Sequence, residues 1–357
     1  MKLRAGDWVE VQSKEAILRT LDKSGRLENT PFMPQMFSYC GKRFKVFKRA
    51  HKTCDWVYQT KGRRIFNTVH LDLRCDGEAY GGCQSACLLY WKEAWLVPVT
   101  GPGPAFAERT NGDDNHRSTQ ALDCDSLGCT EHDVWAATRR GDLPEDNEPR
   151  FVCQGTEVFN FTQPLAWWDI RQYVEDLRSR NLTVSQLLTG LTYRAYSSVM
   201  NLGIGIGRPM RWLYDAFQRL RGGLPCAERP GSIPVGDPTP TTDLGLEQGE
   251  LVRVRPFNEV LKTLNAAGMN RGMSFDKEMA PYCEQTLTVR TRVTRFVDER
   301  TGKLVTLKNP CIILEGATCQ SRYSDCRIGC PRNIYPWWHE IWLERASGAT
   351  SDEAPNG

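Results

Sequence analysis

The sequence predicts an α+β fold class, with two pseudo-symmetric, mainly β repeats joined by a long loop and a helical segment. The first observation is a duplication: residues 6–40 recur as residues 249–283 without insertion or deletion, so that matched residues such as Phe32 and Phe275 lie 243 positions apart. The second is strand-like alternation inside both copies. The third is a run of amphipathic helical patterns between them. A duplicated unit therefore organises the chain.

The predicted elements of the first copy follow in chain order. A strand begins at Trp8 after a Gly-Asp turn, and Ser13 caps a short helix that continues to about Asp22. Residues 43–48 alternate apolar and polar side chains, which predicts a strand packed on one face, and residues 286–293 repeat this pattern. Each copy then has a basic hairpin turn and a closing Trp-x3-Trp segment, at residues 61–63, 91–95, 301–303 and 338–342.

The middle of the chain is helical and basic. Residues 163–222 contain three amphipathic segments, the second of which runs from Val184 to Met200 with Thr183 as its cap. Arginines concentrate there, which is typical either of a solvated face or of a surface for an acidic partner or a membrane. The alternating glycines of residues 203–207 predict a helix break, because no strand precedes them as in a dinucleotide-binding loop.

These patterns predict six parts, defined by changes in composition. They are a first Cys-rich β repeat (1–98), an irregular insertion (99–162), a helical connector (163–222), a Pro/Gly-rich linker (223–247), a second Cys-rich β repeat (248–346) and a disordered tail (347–357).

The composition narrows the class of protein. A net charge of +3 and a pI near 8.2 are too mild to favour nucleic-acid binding. No secretory leader and no apolar stretch of about 18 residues is visible, so we expect a cytoplasmic protein without a transmembrane segment. Its 14 cysteines are then unusual, because clustered cysteines in a reducing compartment are typical of metal ligands.

Eight cysteines form two sets of four, each in the second half of its repeat. The sets are Cys54, Cys75, Cys83 and Cys87, and Cys311, Cys319, Cys326 and Cys330. Alignment on the closing tryptophans pairs Cys83 with Cys330 but Cys87 with Ile334, so the sets are only partly equivalent. Four thiolates bind a zinc ion or an iron–sulfur cluster, and we favour a 4Fe-4S cluster over zinc. The alternative is that these thiols are small buried apolar side chains.

Other cysteines have weaker patterns. A third site could form from Cys124, Cys129 and Cys153. Cys40 and Cys283 match in the gap-free alignment, which favours core packing over a ligand role.

His51 is the candidate catalytic residue, because it lies three residues before Cys54 and is replaced by Thr294 in the second copy. It would act as a metal ligand or proton donor; the alternative is an exposed histidine in a basic segment. His70 is a second, weaker candidate. Glu93 and Glu340 recur between the closing tryptophans and are predicted as surface charges.

Two resemblances add to this interpretation. The Gly-Asp opening and short twisted strands resemble SH3-like barrels of the KOW type, over about 40 residues of each repeat. The segments GDWVEV, YCG (residues 39–41) and NPCIILEG before CPRNIYPWW resemble an uncharacterised bacterial family of two-repeat, cysteine-rich proteins. The second resemblance covers most of the chain and implies no activity.

The leading hypothesis is a soluble metalloprotein with two four-cysteine sites, used in electron transfer or a redox biosynthetic step. Its arginines would dock an acidic redox partner protein. The alternative is a zinc-stabilised, non-enzymatic binding scaffold built on two SH3-like units. Whether the chain is an enzyme stays open, because it contains no Gly-x-Ser-x-Gly, P-loop or His-Glu-x-x-His motif.

Overall fold

The computed structural model describes most of the chain and confirms the α+β class, with helices and antiparallel strands in small sheets. The described residues are 2–55, 62–102, 128–141, 148–202, 205–221, 223, 225–227, 229–323 and 328–346. Cys124, Cys326, about half of the predicted insertion and the predicted tail therefore lie outside the described residues.

The chain folds into two compact units, and each unit includes a short segment from the other repeat. Unit 1 contains the described residues of 1–83, 88–182 and 297–304. Unit 2 contains those of 84–87, 183–296 and 305–346. The division between residues 182 and 183 falls inside the predicted helical connector.

Unit 1 combines short antiparallel strands with three short helices. Its elements are β1 (Trp8–Val11), α1 (Lys14–Leu18), β2 (Arg26–Leu27), β3 (Thr30–Pro31), β4 (Arg43–Lys45), β5 (Lys48–Arg49), β6 (Lys52–Cys54), β7 (Gly62–Arg64), β8 (Thr68–His70), β9 (Trp91–Lys92), β10 (Leu96–Val99), α2 (Glu131–Ala136), β11 (Gln163–Leu165) and α3 (Arg171–Arg178). The sheets have the orders β10-β1-β4, β5-β8-β9, β11-β7-β6 and β2-β3. Three 3₁₀ turns cover Pro34–Tyr39, Glu78–Tyr80 and Glu93–Trp95.

Unit 2 begins with a helix pair and continues with the second copy. Its elements are α4 (Val184–Met200), α5 (Gly207–Arg221), β12 (Leu251–Val254), α6 (Phe257–Thr263), β13 (Met269–Asn270), β14 (Met273–Ser274), β15 (Thr286–Val297), β16 (Leu304–Leu314) and β17 (Leu343–Arg345). The main sheet has the order β16-β15-β12-β17, and β13 pairs with β14. The last residue of β15 and the first of β16 belong to unit 1.

The duplication read from the sequence is present in the structure. Strands β1, β2 and β3 and the 3₁₀ turn Pro34–Tyr39 recur as β12, β13, β14 and Lys277–Tyr282, every boundary being shifted by 243 residues. In both copies the first strand pairs with the last, as β1 with β10 and β12 with β17. The two ends of each copy are therefore joined by main-chain hydrogen bonds.

The same aromatic cluster fills the core of each copy. Phe32 packs edge-on against Trp91 and Trp95, with ring centroids 6.4 Å and 5.1 Å away. Phe275 packs in the same way against Trp338 and Trp342, at 5.9 Å and 5.2 Å. The four tryptophans are fully buried. Such pairs contribute apolar burial and favourable edge-to-face geometry together.

Local side-chain hydrogen bonds explain why α1 ends earlier than predicted. Ser13 caps α1 as predicted, but the helix ends at Leu18 rather than near Asp22. The Asp22 carboxylate accepts hydrogen bonds from the amides of Ser24 and Arg26, which favours a turn over a further helical turn. The helix over Val184–Met200 and its Thr183 cap are confirmed.

The predicted strand over residues 43–48 is two strands, because the chain changes its partner. The Val46 amide donates to the Asp7 carbonyl beside β1, whereas the next amide, of Phe47, donates to the His70 carbonyl at the end of β8. The second copy has one long strand at the matching position, β15. The hairpin turn predicted at residues 301–303 is confirmed, and Gly302 takes a φ of +74° there.

The prediction of Glu93 and Glu340 as surface charges is wrong. Arg49 Nη1 lies 2.6 Å from Glu93 Oε1, and the Arg49 side chain is only 4% exposed. Arg292, the counterpart of Arg49 at the 243-residue spacing, forms the same ion pair with Glu340, whose side chain is 3% exposed. Both copies therefore carry an arginine–glutamate pair in which one partner is buried, Arg49 in the first copy and Glu340 in the second.

We predict that Arg49→Met lowers the free energy of unfolding by about 3 kcal/mol, because it leaves the Glu93 carboxylate without its buried cation. The matched control is Arg43→Met, which removes an exposed pair with Glu10 and should cost less than about 1 kcal/mol. Urea denaturation followed by circular dichroism measures both. Equal losses in the two variants would contradict a special role for the buried pair.

Candidate functional site

The first predicted cysteine set is distributed over three places in the structure. Cys75 and Cys83 pack against the main core of unit 1. Cys54 is buried in β6, and Cys87 belongs to unit 2. In the described part of the chain, no group of three or more His, Cys, Asp or Glu side chains is arranged to hold a metal ion. A metal at this set stays a prediction.

Within the second set, Ser321 connects Cys319 to Cys330. The Ser321 hydroxyl lies 3.5 Å from Cys319 Sγ and donates a hydrogen bond of 3.2 Å to the Cys330 carbonyl. Ser321 is buried and takes a left-handed backbone conformation with a φ of +54°. These contacts fix the two cysteine-bearing segments against each other, and the sequence places Cys326 between them.

Cys311 has a different environment from these two residues. It lies in β16 with its thiol directed at the Asn309 carbonyl and the Met273 sulfur, at 3.6 Å and 3.8 Å. Burial, and secondarily the charge of Glu340, raises the pKa of the Cys311 thiol from 9.0 to about 11. Cys311 is therefore a protonated, core-packed thiol at neutral pH.

The segment that ends in Cys87 is anchored within unit 2. The Gln84 amide donates to the Arg295 carbonyl at 3.1 Å, and its side-chain oxygen accepts from the Thr294 and Arg295 amides at 2.7 Å and 3.1 Å. Ala86, with a φ of +48°, packs against a small cluster that contains Cys311. The structure therefore places Cys87 in the unit that holds Cys311, Cys319 and Cys330.

In unit 1, two cysteine sulfurs accept N–H hydrogen bonds near the same buried tyrosine. The side-chain amide of Gln35 donates to Cys75 Sγ at 3.2 Å, and the Val297 amide donates to Cys83 Sγ at 3.3 Å. Tyr80 is buried beside them, and burial, then the charges of Cys153 and Cys75, raise its pKa well above the ordinary value.

Cys153, which the sequence assigned to a third site, packs against the same core of unit 1 as Cys75 and Cys83. Burial raises the pKa of its thiol to about 11, with smaller contributions from Glu299 and Cys83. Cys129 also belongs to the core of unit 1, while Cys124 is outside the described residues. The third site stays a prediction. Cys40 and Cys283 pack against the cores of their copies, which confirms their predicted packing role.

His51 is buried, so the alternative of an exposed histidine is wrong. Its Nε2 lies 3.2 Å from both the Gln172 carbonyl oxygen and Asp176 Oδ1. The neighbouring Lys52 Nζ lies 2.5 Å from Asp176 Oδ2. His51, Lys52 and Asp176 are each less than 5% exposed. The His51 imidazole is thus held by the Gln172 carbonyl with a carboxylate beside it, and the Lys52–Asp176 ion pair joins β6 to α3.

The sequence did not indicate Asp176, because α3 buries a polar face and exposes its apolar side chains. Gln172 and Asp176 are buried, whereas the apolar side chains of Ile170, Val174 and Leu177 are exposed. Apolar periodicity points to the wrong face of such a helix. His70, the weaker candidate, is buried and lies 2.8 Å from the Leu89 carbonyl through Nδ1.

Comparison with protein-family models gives no match to this chain, and comparison with curated proteins gives no significant relative. In the described residues, no helix has both the length and the apolar character needed to cross a bilayer. The site must therefore be interpreted from its own geometry.

We expect the Cys311 thiol to react slowly with iodoacetamide in the folded, metal-free chain. Because burial holds its pKa near 11, its thiolate fraction at pH 9 is about a hundredth, and labelling should rise only as the pH approaches 11. The internal control is the same thiol in urea, where labelling should be complete near pH 9. Peptide mass spectrometry measures both, and equal rates in the two states would contradict the assigned environment.

We predict that Asp176→Asn lowers the free energy of unfolding by about 3 kcal/mol, because the buried Lys52 ammonium loses its counter-charge. The double variant Lys52→Met/Asp176→Leu should lose less than the single one, since it leaves no unpaired buried charge. Urea denaturation of both variants measures this. A larger loss in the double variant would show that packing, rather than charge pairing, determines the effect.

Proposed function

We propose that this chain is a metalloprotein whose thiolate centre lies in unit 2 and is formed by Cys87, Cys319 and Cys330, together with Cys326. The observation that supports it is the anchoring of residues 84–87 in unit 2 through Gln84 and Ala86. This adds a cysteine to the unit where Ser321 already connects Cys319 with Cys330. The sequence contributes Cys326, four residues before Cys330.

The proposed ligand set exchanges Cys311 for Cys87. Cys311 is directed into apolar and sulfur contacts and keeps its proton at neutral pH, so it would have to leave a packed environment to bind metal. Cys87 is half-buried, and the segment before it is fixed by hydrogen bonds to β15. A ligand on a fixed segment loses little conformational freedom on binding.

An iron–sulfur cluster is the leading metal, and a redox role follows from it. Four thiolates are the ligands that such clusters require, and Cys330 precedes a proline as in some cluster motifs. When bound, the cluster would accept and return one electron, in electron transfer or a redox biosynthetic step. The proposal leaves out unit 1, where Cys75 and Cys83 pack against the main core and Cys54 is buried in β6.

The second candidate is a zinc-stabilised binding scaffold of two SH3-like units. The observation in its favour is that the first strand of each copy pairs with the last strand and also with β4 or β15, which is how a small barrel begins to close. A zinc ion on four thiolates would stabilise the fold without redox chemistry.

We predict that anaerobically purified protein is brown, absorbs near about 400 nm and contains iron and acid-labile sulfide. Cys87→Ser and Cys330→Ser should each lose most of the bound metal, whereas Cys311→Ser should keep it. The matched control is Cys40→Ser, since Cys40 is half-buried like Cys87 and lies in unit 1.

Three outcomes separate the candidates. A colourless protein with about one zinc per chain, lost in Cys87→Ser, would keep the site and favour the scaffold over redox chemistry. Metal loss in Cys311→Ser but not in Cys87→Ser would restore the ligand set predicted from the sequence. A wild-type protein without metal would overturn the proposal.

A further inference from the structure

Helices α4 and α5 form a hairpin that is held together by tyrosines. The Tyr214 ring lies 6.1 Å from Tyr193 and 5.7 Å from Tyr196, and the Tyr196 hydroxyl donates a hydrogen bond of 2.5 Å to the Met210 carbonyl. These contacts join the middle of α4 to the first half of α5. The two helices therefore act as one element.

The inner side of this hairpin is fixed within unit 2. Gly190 of α4 is buried, and a Cβ there would lie 3.0 Å from the Ile328 side chain. Tyr193 packs edge-on against Tyr323 at 5.0 Å. On α5, the Asp215 carboxylate accepts a hydrogen bond of 2.8 Å from the Cys226 amide and pairs with Arg229. One side of the hairpin thus has its partners, and its orientation within the unit is set.

The outer side exposes large apolar side chains. On α5, Trp212 is 66% exposed and Leu220 is 89% exposed, and Leu213 and Phe217 lie between them on the same face. Val184, Leu188, Val199 and Leu202 form a similar exposed stripe on α4 and at its end. Exposed apolar patches of this kind mark surfaces that bind a partner or a membrane.

The charge on this hairpin is positive. Helix α5 contains four arginines, at positions 208, 211, 219 and 221, and one acidic residue, Asp215, which is already paired with Arg229. Arg208 and Arg219 are exposed. At 3.6 residues per turn these two positions border the apolar face of Trp212, Leu213, Phe217 and Leu220. The complementary surface is therefore apolar at its centre and anionic around it.

The hairpin tip distinguishes a lipid surface from an acidic protein. No charged residue occurs from Ala195 to Gly207, and arginines at positions 194 and 208 flank this uncharged stretch. Leu202, within this stretch, is 60% exposed. An uncharged stretch with an exposed apolar side chain, next to a helix with exposed arginines, suits an interface where acyl chains lie beneath anionic headgroups.

We propose that the α4–α5 hairpin docks on an anionic lipid surface, with its apolar face among the upper acyl chains and its arginines at the headgroups. The hairpin lies on the membrane and does not cross it, which agrees with the absence of a spanning helix in the described residues. This inference is independent of the metal centre.

The test is flotation of the full chain with vesicles of phosphatidylcholine containing about 30 mol% phosphatidylglycerol, and with vesicles of phosphatidylcholine alone. We expect binding to the anionic vesicles, weakened by added salt. Trp212→Glu/Phe217→Glu should reduce the partition coefficient by about tenfold or more. Arg208→Glu/Arg219→Glu should reduce it on anionic vesicles only. The matched control is Trp135→Glu, because Trp135 is 49% exposed on the acidic helix α2.

All the substituted side chains are exposed, so the variants should fold. Each binding result therefore supports or overturns the assignment of the hairpin as a lipid-binding surface. Failure of the wild-type chain to float with anionic vesicles would overturn it, as would equal binding by the Trp212→Glu/Phe217→Glu variant. Loss of binding in Trp168→Glu alone would assign the lipid contact to the apolar face of α3 instead. A dimer in sedimentation that dissociates in the Trp212→Glu/Phe217→Glu variant would assign the face to a second copy.

Discussion

An arginine–glutamate pair with one buried partner closes each copy of the duplicated unit, and much of the fold depends on it. Glu93 and Glu340 lie in the 3₁₀ turns that hold the closing tryptophans, and Arg49 and Arg292 reach them from strands. The same glutamates accept hydrogen bonds from main-chain amides near the start of their copy, of Leu3 and of Leu244. A charge in such a position is stable only while its partners stay in place, so the pair fixes the beginning, middle and end of a copy together.

The sequence allowed the duplicated architecture to be predicted because its information is local and is present twice. The first strand of each copy, the Ser13 and Thr183 caps and the 243-residue register all appear in the structure. The errors came from side-chain hydrogen bonds, one local and one between residues distant in the sequence. The turn at Asp22 shortened α1, and Arg49 is bonded to a residue 44 positions away. The repeat contained a usable signal here, because Arg49 and Arg292 occupy matching positions, as their glutamate partners nearly do.

The cysteines show the limit of spacing arguments more clearly. Cys83 and Cys87 are four residues apart, yet they belong to different units, and a left-handed residue between them, Ala86, helps to redirect the chain. Proximity in sequence therefore grouped Cys87 with residues of the other unit. The alignment had paired Cys87 with Ile334, and a cysteine without a counterpart was the one indication that its role is not part of the repeat. Burial distinguishes the other cysteines from candidate ligands. Thiols with a pKa of about 11, such as those of Cys153 and Cys311, stay protonated at neutral pH and do not bind metal readily.

The exchange of short segments between the repeats has a consequence for synthesis on the ribosome. Unit 1 includes residues 297–304, which are translated after more than 100 residues of unit 2. An amino-terminal domain ordinarily completes its fold while the rest of the chain is still being made. Here unit 1 must wait, because the Phe151 amide bonds the Gly302 carbonyl and Cys83 Sγ accepts from the Val297 amide. Duplication gave two copies, but the segment exchange makes completion of the first depend on translation beyond residue 297.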